Sequence, residues 1–171
     1  IGLPTGCSID SNFKYQNNNT ILDFQSGLTS DNWRGPFSRK TILMNSKEVV
    51  SGQVMVYIPS GVTVDAYGIV LEIRFYRSDG NRITQVSASA NLNIRDKWQQ
   101  LKIEGAICPE GTHHIDLYPY ITRNGKCWFA QPKIEIGSKC TDFSVAPEDI
   151  DTLMVDNIKV VDTKISNVSS N

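Results

Sequence analysis

At 171 residues the chain is long enough to bury a core as one domain without metal or disulfide help, and its 40% hydrophobic and 20% charged residues are ordinary for a globular protein. A net charge of -1 supplies no counterion-releasing excess for nucleic acid and no basic face for an anionic bilayer, so neither is expected as a partner. No apolar run approaches the length that spans a membrane, no basic start followed by an apolar stretch marks a secretion signal, and the opening at Ile1 without Met suggests a piece of something longer.

Residues 1–19 are mostly small and polar, with Pro4 and the run Asn17-Asn18-Asn19, and read as a lead-in arm with little regular structure. Ile21, Leu22 and Phe24 then make a first short strand. The loop Asp31-Asn32-Trp33-Arg34-Gly35-Pro36 carries Trp33, which either meets a ligand, as loop residues often do, or caps one end of the core. Strands are expected at 38–45 and 49–58, the second with Val54, Val56 and Ile58 alternating against Met55 and Tyr57 until Pro59-Ser60-Gly61 stops it. The clearest strand is 67–77: Ile69, Leu71, Ile73 and Phe75 face one way, and Val70, Glu72, Arg74 and Tyr76 the other. Asp79-Gly80 predicts a type I′ hairpin, whose two central residues both need positive φ, leading into a return strand at 82–90.

A strand at 97–107 puts Leu101, Ile103 and Ile107 on one parity, with Trp98 packing over the sandwich end. The turn Cys108-Pro109-Glu110-Gly111-Thr112 leads to 113–122, where Ile115, Leu117 and Ile121 point inward and His114, Asp116, Tyr118 and Tyr120 outward. Arg123-Asn124-Gly125-Lys126 reads as the next hairpin, and the strand after it runs until Gly137-Ser138. About eight strands and no helix before Pro147 predict an all-β fold, an antiparallel two-sheet sandwich or jelly roll over residues 20–146. Within 147–171 the period changes: Met154, Ile158, Val161, Ile165 and Val168 trace the a/d seam of a short helical, coiled-coil-like segment that suits a homotrimer at least as well as a dimer. The other reading of this segment is a frayed tail or a last edge strand at 153–161, because β-branched residues make a poor isolated helix.

No nucleophile elbow or metalloprotease helix occurs, so no enzyme is expected. Neither Cys7, Cys108, Cys127 nor Cys140 lies in a C-x-x-C spacing, which argues against a zinc knuckle. His113 and His114 are adjacent, and strand neighbours point to opposite faces, so the two are not expected to share a small metal site. The outward set is more informative. Glu72, Arg74 and Tyr76 with His114, Asp116, Tyr118 and Tyr120 would mix aromatic rings, which take sugar C–H faces, with carboxylate and guanidinium groups, which take hydroxyls in pairs. The plain alternative is a solvated sheet face.

Two resemblances carry these expectations further. Pro132-Lys133-Ile134-Glu135-Ile136-Gly137 followed by Thr141-Asp142-Phe143-Ser144-Val145-Ala146-Pro147-Glu148-Asp149 resembles the closing motif of modules in phage tail fibres, tailspikes and baseplates, departing from it at Cys140 and Phe143. Lys97-Trp98-Gln99-Gln100-Leu101-Lys102-Ile103, then Pro109-Glu110-Gly111-Thr112, then Gly125-Lys126-Cys127-Trp128-Phe129 are similar to the jelly-roll carbohydrate-binding modules of families four, nine and twenty-two. These resemblances imply ligand contacts along a concave sheet or at loop tips, through Arg74, Tyr76, Tyr118, Tyr120 and Trp128, to which the outward parity of Asp116 and the loop position of Trp33 add two further candidates. They also imply a virion component assembled in the host cytoplasm, with free cysteines, no cofactor, and host cell-surface polysaccharide as partner. Such modules often hold a structural calcium ion, toward which Asp10 and Asp142 alone are too few ligands. The competing expectation is a spacer or trimerisation module that touches no ligand.

Overall fold

Period-two alternation builds both layers of the structure. The computed structural model describes residues 3–36, 42–65 and 68–143. Among these, β1 (Cys7–Tyr15), β2 (Asn18–Gln25), β4 (Val49–Tyr57), β7 (Trp98–Ile107) and β9 (Gly125–Ile136) form one sheet in the order β1-β2-β9-β4-β7. The second sheet has the order β3-β8-β5-β6, from β3 (Ile42–Leu43), β5 (Ile69–Tyr76), β6 (Arg82–Ser89) and β8 (His114–Ile121). Strand pairs nest one inside another: β5 with β6, β4 with β7, β3 with β8 and β2 with β9, all antiparallel. That is the strand arrangement of a jelly roll. The chain divides into units Ile1–Thr141 and Asp142–Asn171, and the strands belong to the first. The expected helical segment at 147–171 lies outside the described residues.

Inward positions of β4, β5 and β8 fall where the alternation puts them. Val54, Val56 and Ile58 meet Ile69, Leu71, Ile73 and Phe75 across the sandwich, with Ile115, Ile121 and Phe129 beside them, all essentially inaccessible. Each such side chain contributes about 1.5–3 kcal/mol relative to leaving it in water. Gly52 lets the sheets close, since a Cβ there would stand 2.7 Å from Leu117 Cδ1 of the opposite sheet. The inward positions include polar ones: Asp23, fully buried, sits between Cys7 and Cys127 across β1-β2-β9, and the Cys7 thiol donates to its Oδ1 at 3.5 Å.

Several sequence expectations are corrected. The lead-in arm at 1–19 contains a strand: Gln16 (φ 47°) and Asn17 (φ 67°) make a two-residue turn that folds β1 onto β2. Both central residues there have positive φ, as a type I′ turn requires. At Asp79-Gly80 only Gly80 (φ 83°) is left-handed, and Gly80 N donates to Arg77 O while Arg77 N donates to Asn81 O. This is a three-residue loop with a glycine bulge in place of the expected type I′ turn. In β7, Gly105 (φ 67°) adds a residue opposite the Val50–Gly52 stretch, so Ala106 turns inward and Ile107 is 65% exposed. Arg123-Asn124-Gly125-Lys126 joins the two sheets and makes no hairpin, because β8 pairs with β5 while β9 pairs with β2 and β4. A second irregularity, at Gln131 (φ 49°), accommodates Pro132 in β9, where a regular ladder would need its missing N–H.

Candidate functional site

The outer face of the β3-β8-β5-β6 sheet gathers most of the anticipated residues. Registration sets Arg74 opposite Asp116, Glu72 opposite Tyr118, Val70 opposite Tyr120 and Tyr76 opposite His114, all on the side away from the core. The side chains interlock. Arg74 Nε donates to Glu72 Oε2 at 2.6 Å, Tyr120 Oη donates to Glu72 Oε1 at 2.9 Å, and the guanidinium carbon lies 3.9 Å from the centre of the Tyr118 ring. Burial, and then the Glu72 carboxylate, hold the Tyr120 phenol well above its ordinary pKa. Tyr76 stacks on His114, with ring planes 4° apart at 5.0 Å.

This face is less open than the alternation suggests. Glu72, Arg74, Tyr76, Asp116 and Tyr120 are buried, and Tyr118 is half-buried. The loop between β2 and β3 lies against β8 there: Gly35 N donates to Tyr118 Oη, and a Cβ at Gly35 would fall 1.7 Å from the Pro119 carbonyl oxygen. Among the described residues β3 pairs only with His114 and Ile115, so Pro119 stands where β8 has no strand on that side. The loop is tied down by Arg123, whose Nη2 donates to Asp31 Oδ1 at 2.8 Å, by Asn32 N donating to Thr122 O, and by Gln25 Nε2 donating to Arg34 O. Trp33 on this loop is 56% exposed, which excludes the core-capping alternative.

The open margin lies on β6. Gln85 sits opposite Arg74 and Ser87 opposite Glu72, both exposed. The sequence holds the signal for these two, since a turn centred on Asp79-Gly80 already sets Gln85 opposite Arg74 and Ser87 opposite Glu72, and the glycine bulge alters the register only at Tyr76, which pairs with Arg82.

Trp128 does not join this face. It lies on the outer side of the other sheet, in a cross-strand row with Tyr57 and Trp98, and Phe13 packs on all three at 4.7–5.8 Å. Trp98 therefore lies over a sheet and not over the sandwich end. Lys126 Nζ sits 4.8 Å from the centre of the Trp128 ring, and the indole N–H donates to Asp10 Oδ2. That bond, with those from Phe13 N and Asn12 N, holds the Asp10 carboxyl below the usual carboxylate range and commits it to the β1 bulge. Among the described residues no group of three or more His, Cys, Asp or Glu converges as a metal site. The histidines depart from the expected opposition: their Nδ1 atoms are 3.3 Å apart.

Neither a protein-family model nor a curated protein sequence matches the chain. Solved structures do share its fold. One is the CBM22-1 xylan-binding domain from Paenibacillus barcinonensis Xyn10C, with a TM-score of 0.52, 16% identity, and coverage of 82% of this chain and 91% of that one. Another is the Clostridium thermocellum endo-1,4-beta-D-xylanase 10B CBM22-1–GH10 structure complexed with xylohexaose, with a TM-score of 0.59, 13% identity, and coverage of 85% and 27%. A third is the enzymatically active domain of bacteriophage CBA120 tailspike protein 4, with a TM-score of 0.53, 8% identity, and coverage of 76% and 17%. At these identities the likeness is one of fold, a two-sheet jelly roll.

Proposed function

We propose that the chain is a non-catalytic glycan-binding module, carried on a phage tail fibre or tailspike, that recognises host-surface polysaccharide through the outer face of the β8-β5-β6 strands. The observation that carries this reading is the registration of Arg74, Tyr76, Asp116, Tyr118 and Tyr120 onto that one face. The buried Arg74–Glu72 pair acts as the foundation that fixes Tyr118. Tyr118 and the exposed Trp33 offer rings to sugar C–H faces, and Gln85 and Ser87 on the open margin meet hydroxyls. Glu72 is committed to Arg74 and Tyr120, which leaves it unsuited to acid–base work. The xylan-binding modules among the structural neighbours favour a polysaccharide ligand. The closing motif at 132–149 and the tailspike neighbour favour the virion setting, where trimerisation through 147–171 would add avidity to weak sites.

The second reading, a spacer without ligand, is favoured by one specific observation, the near-complete coverage of Arg74, Glu72 and Asp116. Titration calorimetry of the full chain against a panel of bacterial and plant polysaccharides separates the two. Binding that Tyr118→Ala weakens by about tenfold, equivalent to ~1.4 kcal/mol, with an unchanged melting profile, supports recognition at this face. Absence of binding across the panel, or an undiminished Tyr118→Ala affinity, refutes it.

A further inference from the structure

The chain holds two histidines, adjacent at the end of the β8 strand. His113 precedes the strand, so its ring is not bound by the alternation that governs its neighbour. Its backbone is pinned from both sides: its N–H donates to Tyr76 O at 2.8 Å, and its carbonyl accepts from Met44 N at 3.1 Å. His114 is registered between Tyr76 of β5 and Leu43 of β3, and the stacked Tyr76 ring restrains its imidazole. The two imidazole planes stand at 90°, and the two Nδ1 atoms are 3.3 Å apart.

We infer that His113 and His114 form a two-imidazole clip for a borderline divalent transition-metal ion such as Ni²⁺ or Zn²⁺. Two nitrogens bound tetrahedrally to one zinc ion at 2.0–2.1 Å are about 3.3–3.4 Å apart, which is the bite already present, and the tetragonal geometry of nickel needs a bite about 0.3 Å shorter. Imidazole nitrogen suits these ions, whereas calcium and magnesium prefer oxygen. Without metal, one Nδ1–H faces the other ring's Nδ1 lone pair. With metal, both rings take the Nε2–H form, so the donor ring's proton moves from Nδ1 to Nε2 and both lone pairs go to the ion. His113 is exposed, so water fills the remaining positions and the site exchanges freely. The inference does not rest on the glycan reading, since no sugar takes part.

The test is calorimetric titration of untagged full chain with NiCl₂, alongside His113→Ala and His114→Ala. One ion per chain is expected, with each substitution weakening binding by at least the roughly 10–100-fold that even outer partners of metal ligands cost. In nitrogen-15 spectra of the zinc-titrated chain, both Nδ1 resonances are expected to move to the metal-bound range. Wild-type nickel affinity in His113→Ala overturns the clip, as does a zinc response confined to Nε2 atoms or traced to the cysteines.

Discussion

Leucine in place of Arg74 would leave Glu72 buried without its cation. The paired side chains are 8% and 9% exposed and 2.6 Å apart, and the acid would keep only the hydrogen bond from Tyr120 among those described. Removing one partner of such a pair costs about 3–5 kcal/mol, because the remaining charge has lost both solvent and counter-charge. In a domain of this size each kcal/mol corresponds to about 2–4 °C, so Arg74→Leu should lower the melting temperature by roughly 6–20 °C. Replacing both residues, Glu72→Leu with Arg74→Leu, removes the stranded charge and should recover most of that loss. The unpaired Tyr120 hydroxyl then leaves a residual cost of about 1–3 kcal/mol. Urea unfolding followed by tryptophan fluorescence measures both variants. A loss below about 1 kcal/mol for the single variant, the range of exposed pairs, would refute the argument, and so would a double variant less stable than the single.

Burial pushes the Asp23 carboxyl up to about 6, against 3.8 for the free side chain. The folded state therefore favours the protonated form, and the associated stability is full below about pH 4 and lost as pH rises through 6, a swing of about 3 kcal/mol. Relative to Asp23→Asn, which has no charge to gain, the wild-type melting temperature should fall between pH 4 and pH 7; a pH-independent difference would rule this out. Gly35→Ala should push the loop off Pro119 and break the bond to Tyr118, read as faster amide exchange at residues 32–35, and exchange as slow as in wild type would contradict the close approach. Burial, then Asp23, pushes the Cys7 thiol up to about 12, and burial raises Cys108, Cys127 and Cys140 as well. All four should resist iodoacetamide at pH 8 until denaturant is added, and rapid native-state labelling of any of them would show that its site is open.

Alternation in the sequence identified the inner and outer sides of β4, β5 and β8 correctly, because each has one face in a continuous apolar layer. Parity says which side a residue takes; it does not say what lies above that side. For that reason Arg74 and Glu72 looked solvent-facing, while in the folded chain they are covered. Nor does it say which sheet a strand joins: Trp128 has the anticipated outward parity, yet β9 inserts between β2 and β4 and carries it to the opposite surface. β1 leaves no hydrophobic pattern in the sequence because its side chains are half-buried or exposed throughout, and it is held by backbone pairing and by the contacts of Cys7, Asp10 and Phe13. The Gly105 bulge slipped past for a related reason, since one added residue reverses every later position without changing composition.

The insertion of β9 between β2 and β4 also bears on how the molecule is made. Without residues 125–136, β2 and β4 would each present an unpaired edge to the slot between them, the kind of surface on which β-proteins aggregate. In a chain ending before Gly125 a synthetic peptide of the β9 sequence should dock into that slot by strand complementation, restoring in two pieces the sheet that the intact polypeptide forms in one.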